Sequence, residues 1–462
     1  MKSSVKLMLA FLAWSCVPAW TAEKETKIVL IGQKPDHPFG SHMYMHECGL
    51  LAKCLNQSPN VRAIVSEGWP KEPDVLKDVN AIVLYTNPGG NILLNLTNRA
   101  ESERLLNQGV GYAAIHWATD ADVKLGADYL QILGGWFNTS FSGLNTTTTR
   151  VQQLLPEHPI SRGWKDFDLR DEIYLNLKFL PETKPLFTVK SKDQEQIVGW
   201  AFERPNSNGG RSFGTTLGHF HDNFGNESFR RILVNGILWT AHYEVPETGA
   251  PCRISEADMH LPPNKGASQT IKLFNGANLD GWVGHEKHWS VQDGVIVAKN
   301  TEAVPISTYL LTKEKFTDFR LTLKAKLVTS EMHSGIALWG RIAPERGDPF
   351  TYAGHLVMFP SGWGFWDLYG RERLGVDPAP AKKVGKQHDW NDLEILAQGN
   401  RIRLVVNGTL AADWHDPEPH RIQAGPIGLQ LHSNTAAQEI HFKDLVLTTF
   451  PEDKIATLKE DK

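Results

Sequence analysis

Histidine is the commonest metal ligand and the side chain best suited to proton transfer near neutrality. In the first half of this chain histidines stand where strands should end. His37 follows the apolar run KIVLIG, in IGQKPDHPFGSHMYMHE. His42 and His46 stand four apart, with Glu47 adjacent, which sets both rings on one face of a helix. His116 closes VGYAAI and opens HWATD, with Asp120 close behind; His219 and His221 follow FGTTLG; Asp171 and Glu172 lie in RDEIYL. Two chemistries suit this set. His42 or His46, with His116 and His219, could hold a divalent metal ion whose identity the residues do not specify. The same rings could instead line a polar cleft that moves protons. No H-E-x-x-H or C-x-x-C pattern favours the metal, and paired histidines at helical spacing also suit a solvated or capped face.

The second half carries a different set. EMHSGIALWGR supplies Glu331, His333 and Arg341; YAGHLVMF supplies His355; FWDLYGRER supplies Asp367, Tyr369 and Arg371. IGLQLHSNTAAQEIHF supplies Gln430, His432, Glu439 and His441. Strand alternation would let Arg341 share a face with Trp339, and Gln430 with His432. Flat aromatic faces suit the C–H surfaces of sugar rings. Most of the tryptophans here should be core, while Trp363 and Trp366, in the glycine-punctuated PSGWGFWDLYG, are the ones expected at a surface.

These residues need scaffolds of two kinds. From Lys27 to about Glu244, the strand-like runs KIVLIG, VRAIV, AIVLYT and VGYAAI alternate with helical stretches at Met45–Leu55, Asn98–Asn107, Val123–Leu133 and Glu227–Ala241. That alternation predicts a mostly parallel sheet covered by helices, with ligands collecting at the carboxyl ends of its strands. Residues 246–267 are proline-rich and aperiodic, a linker. Beyond them FRLTLKAKL alternates strictly, and Asp293-Gly294 and Asn407-Gly408 read as hairpin turns, so residues 268–449 predict a β-sandwich or jelly roll. Residues 450–462 form a charged tail.

Length and charge narrow the options. The 462 residues suit two sizeable domains. A formal charge of −4 argues against a general nucleic-acid binder and for a small neutral partner. Residues 1–22, MKSSVKLMLAFLAWSCVPAWTA, read as a cleaved secretory signal, with cleavage near 19–22, and so predict a secreted or periplasmic protein. A lipid anchor at Cys16 is disfavoured by bulky Trp14. No later run is long enough for an integral membrane segment. Cys48, Cys54 and Cys252 read as buried small hydrophobes, with a Cys252 bridge left open. Oligomeric state is not legible.

Two resemblances sharpen this reading. GVGYAAIHWATD, LGGWF, HPISRGWKDFDLRDEIYLNL and GRSFGTTLGHFHDNFGNESFRRILVNGILW resemble the ThuA-like (trehalose utilisation) family over residues 27–245. That implies a flavodoxin-like sheet akin to class I glutamine amidotransferases, and a role in keto-sugar or disaccharide metabolism. It also implies a cleft of His37, His116, Asp120, Glu172, His219 and His221, with His116 where an amidotransferase has its cysteine. With no Cys, Ser or Thr at 116, amidotransfer through a thioester is excluded.

LFNGANLDGW, WSVQDGVIV, HSGIALWGR, DWNDLEILAQGNRIRLVVNGTL and GPIGLQLHSNTAAQEIHFKDL resemble the 3-keto-disaccharide hydrolase family over residues 268–449. That implies a concanavalin-like jelly roll cleaving glycosides oxidised at C3. Where the family often reads G-Y-E-hydrophobic-Gln, this chain reads Gly354-His355-Leu356, so if that glutamate is catalytic either His355 replaces it or activity or substrate choice has changed.

A ketone at C3 acidifies the C2–H. A modest base can remove that proton, the C1 substituent leaves by β-elimination, and water adds back. This differs from the two-carboxylate route of ordinary glycosidases. The expectation is an exported enzyme acting on a small oxidised saccharide. Glu331, His333, Arg341, His355 and His432 would be catalytic, and Trp363, Trp366, Asp367, Tyr369 and Gln430 would hold substrate. The alternative is a jelly roll that only binds carbohydrate, attached to a ThuA-like domain that processes keto-sugars.

Overall fold

The computed structural model describes residues 25–329, 333–360, 364–370 and 372–459. The expected leader, Glu331, Trp363, Arg371 and the last three residues of the tail lie outside the described residues.

In the first domain β1 (Thr26–Gly32), β2 (Val61–Glu67), β3 (Ala81–Leu84) and β4 (Gly111–Ile115) come first. They are followed by β5 (Gly143–Gln153), β6 (Phe167–Leu175), β7 (Lys184–Ser191), β8 (Gln194–Glu203) and β9 (Arg211–Thr215). They form one sheet in the order β2-β1-β3-β4-β9-β8-β7-β5-β6. The first five in that order run parallel, the flavodoxin arrangement. β1, β3 and β4 are continuous apolar runs because both sheet faces are covered. α1 (Tyr44–Leu55) and α4 (Glu227–Thr240) pack Leu51, Phe229, Leu233 and Ile237 on one face. α2 (Arg99–Asn107) and α3 (Val123–Leu133) pack Leu105, Leu106, Tyr129 and Leu133 on the other.

A mostly parallel sheet is only part of what forms. β5 to β8 extend it as antiparallel strands. β5 is threonine-rich with alternately exposed residues, so it lacks the apolar run that marks a central strand. This extension matters, because β6 carries Asp171, Glu172 and Tyr174. Cys48, Cys54 and Cys252 are free and buried. No helix among the described residues is long and apolar enough to cross a membrane.

The linker is ordered against the first domain. A short 3-10 turn, Glu256–Met259, presents the Asp258 carbonyl to His46 Nε2 at 2.9 Å and its carboxylate to Lys53 at 2.6 Å.

The second domain is a sandwich. One sheet contains Thr270–Lys272, Trp289–Gln292, Val295–Asn300, Phe319–Thr329, Asn391–Gln398, Arg401–Val406, Thr409–His415 and Gln438–Thr449. The other runs, in spatial order, Trp282–Val283, Thr308–Thr312, Gly428–Leu431, Ser334–Ile342, Tyr352–Phe359, Phe365–Asp367 and Glu372–Arg373. Alternation in Phe319–Thr329 buries Phe319, Leu321, Leu323, Ala325 and Leu327 in the core between the sheets. Positive φ at Asp293 (47°) and Gly294 (74°), and at Asn407 (52°) and Gly408 (90°), builds the tight hairpin turns.

Candidate functional site

Three imidazoles converge above the carboxyl ends of β4 and β9. His42 Nε2, His116 Nε2 and His219 Nδ1 lie 2.9, 3.0 and 3.1 Å from one another. All three residues are buried. His116 Nδ1 meets the Thr216 carbonyl at 2.7 Å and His42 Nδ1 meets the Asp36 carboxylate at 3.0 Å. The carbonyl and the carboxylate only accept, and the Tyr44 hydroxyl, 2.8 Å from His42 Nδ1, donates to Asp36 at 3.2 Å, so each Nδ1 carries the proton and each Nε2 presents its lone pair. Two lone pairs 2.9 Å apart repel unless a cation lies between them. Burial, reinforced by the neighbouring imidazoles, pulls His42 down to about 2 and His116 well below its ordinary value. The His42 and His116 rings are therefore neutral, the form that binds metal.

The donor geometry fits an ion. Three imidazole nitrogens within 3.1 Å of one another make the donor set that would hold zinc or a similar divalent ion. These residues could hold a divalent ion, and Asp36 with His37 and His42 forms a second, more exposed group of possible ligands beside them.

The backbone is bent to bring these rings in. His42 (φ 50°) and His116 (φ 55°) adopt the left-handed conformation, a local strain that persists only where surrounding structure imposes it. The His42 N–H donates to the His219 carbonyl at 3.0 Å. Asp171 is fully buried and accepts the N–H groups of Gly218 (2.6 Å) and His219 (3.0 Å). Burial pushes Asp171 up to about 7 against those bonds.

Beside the nitrogens stand two β6 side chains. Glu172 Oε2 is 3.5 Å from His219 Nδ1 and 3.9 Å from His116 Nε2, and Tyr174 OH is 3.2 Å from His116 Nε2. Burial works to raise the Glu172 carboxyl, but the hydrogen bond it shares with His219 leads the opposing effects and holds it below the usual carboxylate range. It is an ionised base at neutral pH.

The expected first-domain residues divide accordingly. His42, His116, His219 and Glu172 meet, and His37 packs on His42 with ring centroids 3.7 Å apart. His46 does not join them. It faces the linker, as does His221, whose nitrogens meet Glu47 (2.8 Å) and the Met259 carbonyl (3.0 Å). His42 precedes α1, so the i, i+4 argument that paired it with His46 does not apply. Asp120, raised to about 6 mainly by burial, is held by Trp117 Nε1 and Asn138, each at 3.1 Å, and fixes the loop after β4. Asp36 and Tyr174 were not anticipated. Tyr174 was within reach, because it lies two residues beyond Glu172 on the same strand face.

The jelly roll has its own cleft of about 300 Å³ on the outer face of the seven-stranded sheet. Tyr309, Tyr352, Leu356, Met358 and Trp366 supply apolar walls, with His333, Gln430 and His432 among them. The rings of His333 and His432 meet edge-on at 4.5 Å. Gln430 Oε1, Thr351 Oγ1 and Trp366 Nε1 are buried without a partner among the described residues. Orphaned polar atoms beside aromatic walls suit a sugar ring, which offers hydroxyls and an apolar face together.

Other expected members of this site go elsewhere. A β-bulge between Leu338 and Arg341, with Trp339 at φ 55°, resets the alternation. Trp339 enters the core, its Nε1 donating to the Thr317 carbonyl at 2.6 Å, while exposed Arg341 pairs with Glu345. The pocket's guanidinium is Arg346, which donates to the Leu368 and Tyr369 carbonyls. His355 lies on the opposite sheet face, 2.7 Å from Asp416. Counted from Gly354, the family's G-Y-E-hydrophobic-Gln pattern puts its Glu and Gln at Leu356 and Met358, both in the pocket. His355 therefore cannot stand in for that glutamate, and the pocket wall there is apolar. Asp367 and Tyr369 also leave this pocket, the first for an ion pair with Arg421 at 2.8 Å. Glu439 and His441 pair with each other at 2.8 Å on the other sheet.

Burial, then the neighbouring His432, lowers His333 from 6.5 to about 4. Between those pH values the unfolded chain binds the proton and the folded chain does not, so stability falls as pH drops through that window. The loss is about 1.4 kcal/mol per pH unit. His333→Asn is expected to lessen the stability lost between pH 6.5 and about 4.5 by roughly 2 kcal/mol, read from urea unfolding. An unchanged slope would mean that the folded protein already protonates this ring.

Comparison with known proteins bears on both domains. Residues 39–240 match the family model for trehalose utilisation (ThuA), and residues 269–448 match that for a 3-keto-alpha-glucoside-1,2-lyase-like domain. The chain thus joins a ThuA domain to a 3-keto-disaccharide hydrolase-like domain, a carbohydrate-related pairing. Among curated proteins, none matches it. Similar solved structures include a ThuA-like protein from Bacteroides uniformis at 19% identity and TM-score 0.38, covering 51% of this chain and 98% of that one. Another is a candidate glycosyl hydrolase from Parabacteroides distasonis at 20% identity and TM-score 0.30, covering 39% and 94%. A third is the Bacillus licheniformis beta-glucanase, at 13% identity and TM-score 0.26, covering 41% and 100%.

Proposed function

We propose that this protein is an exported carbohydrate-active enzyme that cleaves glycosides already oxidised to a 3-ketone. In this reading bond breaking occurs at the three-histidine centre and the jelly-roll pocket holds sugar. The observation that carries it is the convergence of His42, His116 and His219 within 3.1 Å of one another, with the Glu172 carboxylate 3.5 Å from the nearest of them. The jelly-roll pocket has apolar Leu356 and Met358 where the family's G-Y-E-hydrophobic-Gln pattern has a carboxylate and an amide.

Glu172 removes the C2 proton that the C3 ketone has acidified. The electron pair moves into the enediolate, then forms the C1–C2 double bond as the C1 oxygen substituent leaves. Tyr174, its hydroxyl 3.2 Å from His116 Nε2, is placed to exchange a proton with the reacting oxygens. Water adding to C1 completes a net hydrolysis. A divalent ion held by the three imidazoles would supply a Lewis acid for the developing oxyanion. The leader expected over residues 1–22 supports export.

The test is purified full-length protein given a 3-ketoglucoside and the parent glucoside in deuterated water. Release of reducing sugar from the ketone alone, with deuterium entering C2 of the sugar, is the expected result. Equal activity on both, or on neither, overturns the reading.

A further inference from the structure

The two domains meet beside the histidine centre. The loop carrying Asp36 and His42 passes through Gly40 (φ 80°), where a Cβ would lie 2.3 Å from the backbone nitrogen of His420. Jelly-roll His420 contacts Asp222 at 3.3 Å, and its ring lies 4.9 Å from that of Phe220. Between the domains runs a cleft of about 580 Å³, walled by Arg170 on one side and by His355, Asp367, Tyr369, Glu372 and Arg421 on the other.

This cleft borders the reaction centre. Arg170 and Glu172 are two residues apart on the same face of β6, about 7 Å along the strand. The Arg170 guanidinium lies 4.3 Å over the Phe220 ring, which is 4.5 Å from the ring of His219. The wall chemistry selects a ligand. Arg421 is taken by Asp367 and Glu418, and His355 Nε2 by Asp416. Among the described residues there remain the Arg170 guanidinium, the exposed Glu372 carboxylate, and His355 Nδ1, which is buried with no partner among them. One cation and one anion without an ion-pair partner among the described residues, with the Tyr369 ring 6.0 Å from the Arg421 guanidinium, suit a neutral ligand bearing many hydroxyls and disfavour a charged one.

We infer that the interdomain cleft is a saccharide subsite built by both domains, holding the neutral sugar attached to C1 of the ring that reacts at the histidine centre. This rests on the proposed function and adds that the jelly roll completes the first domain's active site. The two-ring substrate spans both domains, and the jelly-roll pocket is a separate sugar site.

The experiment compares full-length wild type with Arg170→Met and Glu372→Gln, both surface changes. The ratio of kcat/KM for a 3-keto-disaccharide to that for methyl 3-ketoglucoside is expected to fall at least tenfold in each variant. An unchanged ratio overturns the subsite while leaving the proposed function standing. If wild type turns over neither ketone, the proposed function fails, and calorimetry with the unoxidised disaccharide still decides the subsite. That titration is done in a Gln430→Ala background, which weakens the jelly-roll pocket. Arg170→Met lowering affinity at least tenfold there supports the subsite; no change, or tighter binding of a sugar acid than of the neutral disaccharide, overturns it.

Discussion

Glu172→Gln is expected to lower turnover of a 3-keto-glycoside by about 10²–10⁴-fold, the usual contribution of a positioned base. The substitution keeps size and hydrogen bonding but removes the lone pair that takes the proton. Glu172 suits this role because its hydrogen bond with His219 holds the carboxyl below the usual range while it remains only partly exposed. Its neighbour Asp171 is a fully buried carboxyl raised to about 7 and committed to backbone N–H groups, so it positions His219 and takes no proton from substrate. The measurement is single-turnover kinetics alongside deuterium exchange at C2. Loss of both together supports Glu172 as the base. Elimination slowed while exchange continues would place the base elsewhere, and a fall seen only in His432→Ala would move the reaction into the jelly-roll pocket.

His116→Ala should have an effect at least as large, and one readable without substrate. Removing one of three convergent nitrogens is expected to weaken metal affinity by about 100-fold or more, at least what loss of an outer-shell partner costs. Wild type dialysed against trace zinc or manganese should retain about one equivalent per chain, and the variant less than about a tenth of that. A cavity at a fully buried position also costs stability, so thermal unfolding must accompany the assay. His46→Ala serves as the contrasting substitution, because His46 contacts the Asp258 carbonyl and no other histidine nitrogen of the centre. Equal metal in wild type and His116→Ala, or none in wild type, would remove the ion from the mechanism.

Much of the architecture was legible in the chain. Apolar runs alternating with helical stretches specify an α/β layer structure, and the strict alternation of Phe319–Leu327 specifies a sandwich strand, since burial acts on every second residue. The candidate centre was legible in part. His116 and His219 were found because a histidine just after an apolar strand must emerge at the sheet's carboxyl end. The jelly-roll set was read less well. Alternation put Gln430 and His432 on one face, and both line the pocket, but it failed at Arg341 because the bulge at Trp339 adds a residue that no periodicity announces.

By itself, then, the sequence determined which residues are buried, which elements they build and which side chains carry reactive groups. All of these follow from local pattern and composition. Only the tertiary structure decided which of them meet. His42 turns toward His116 and His46 toward the linker because two left-handed residues and a buried Asp171 bring together segments more than seventy residues apart. Long-range packing of this kind leaves no periodic mark along the chain. For the same reason the wall shared by Arg170 and the jelly roll exists only once both domains have folded against each other.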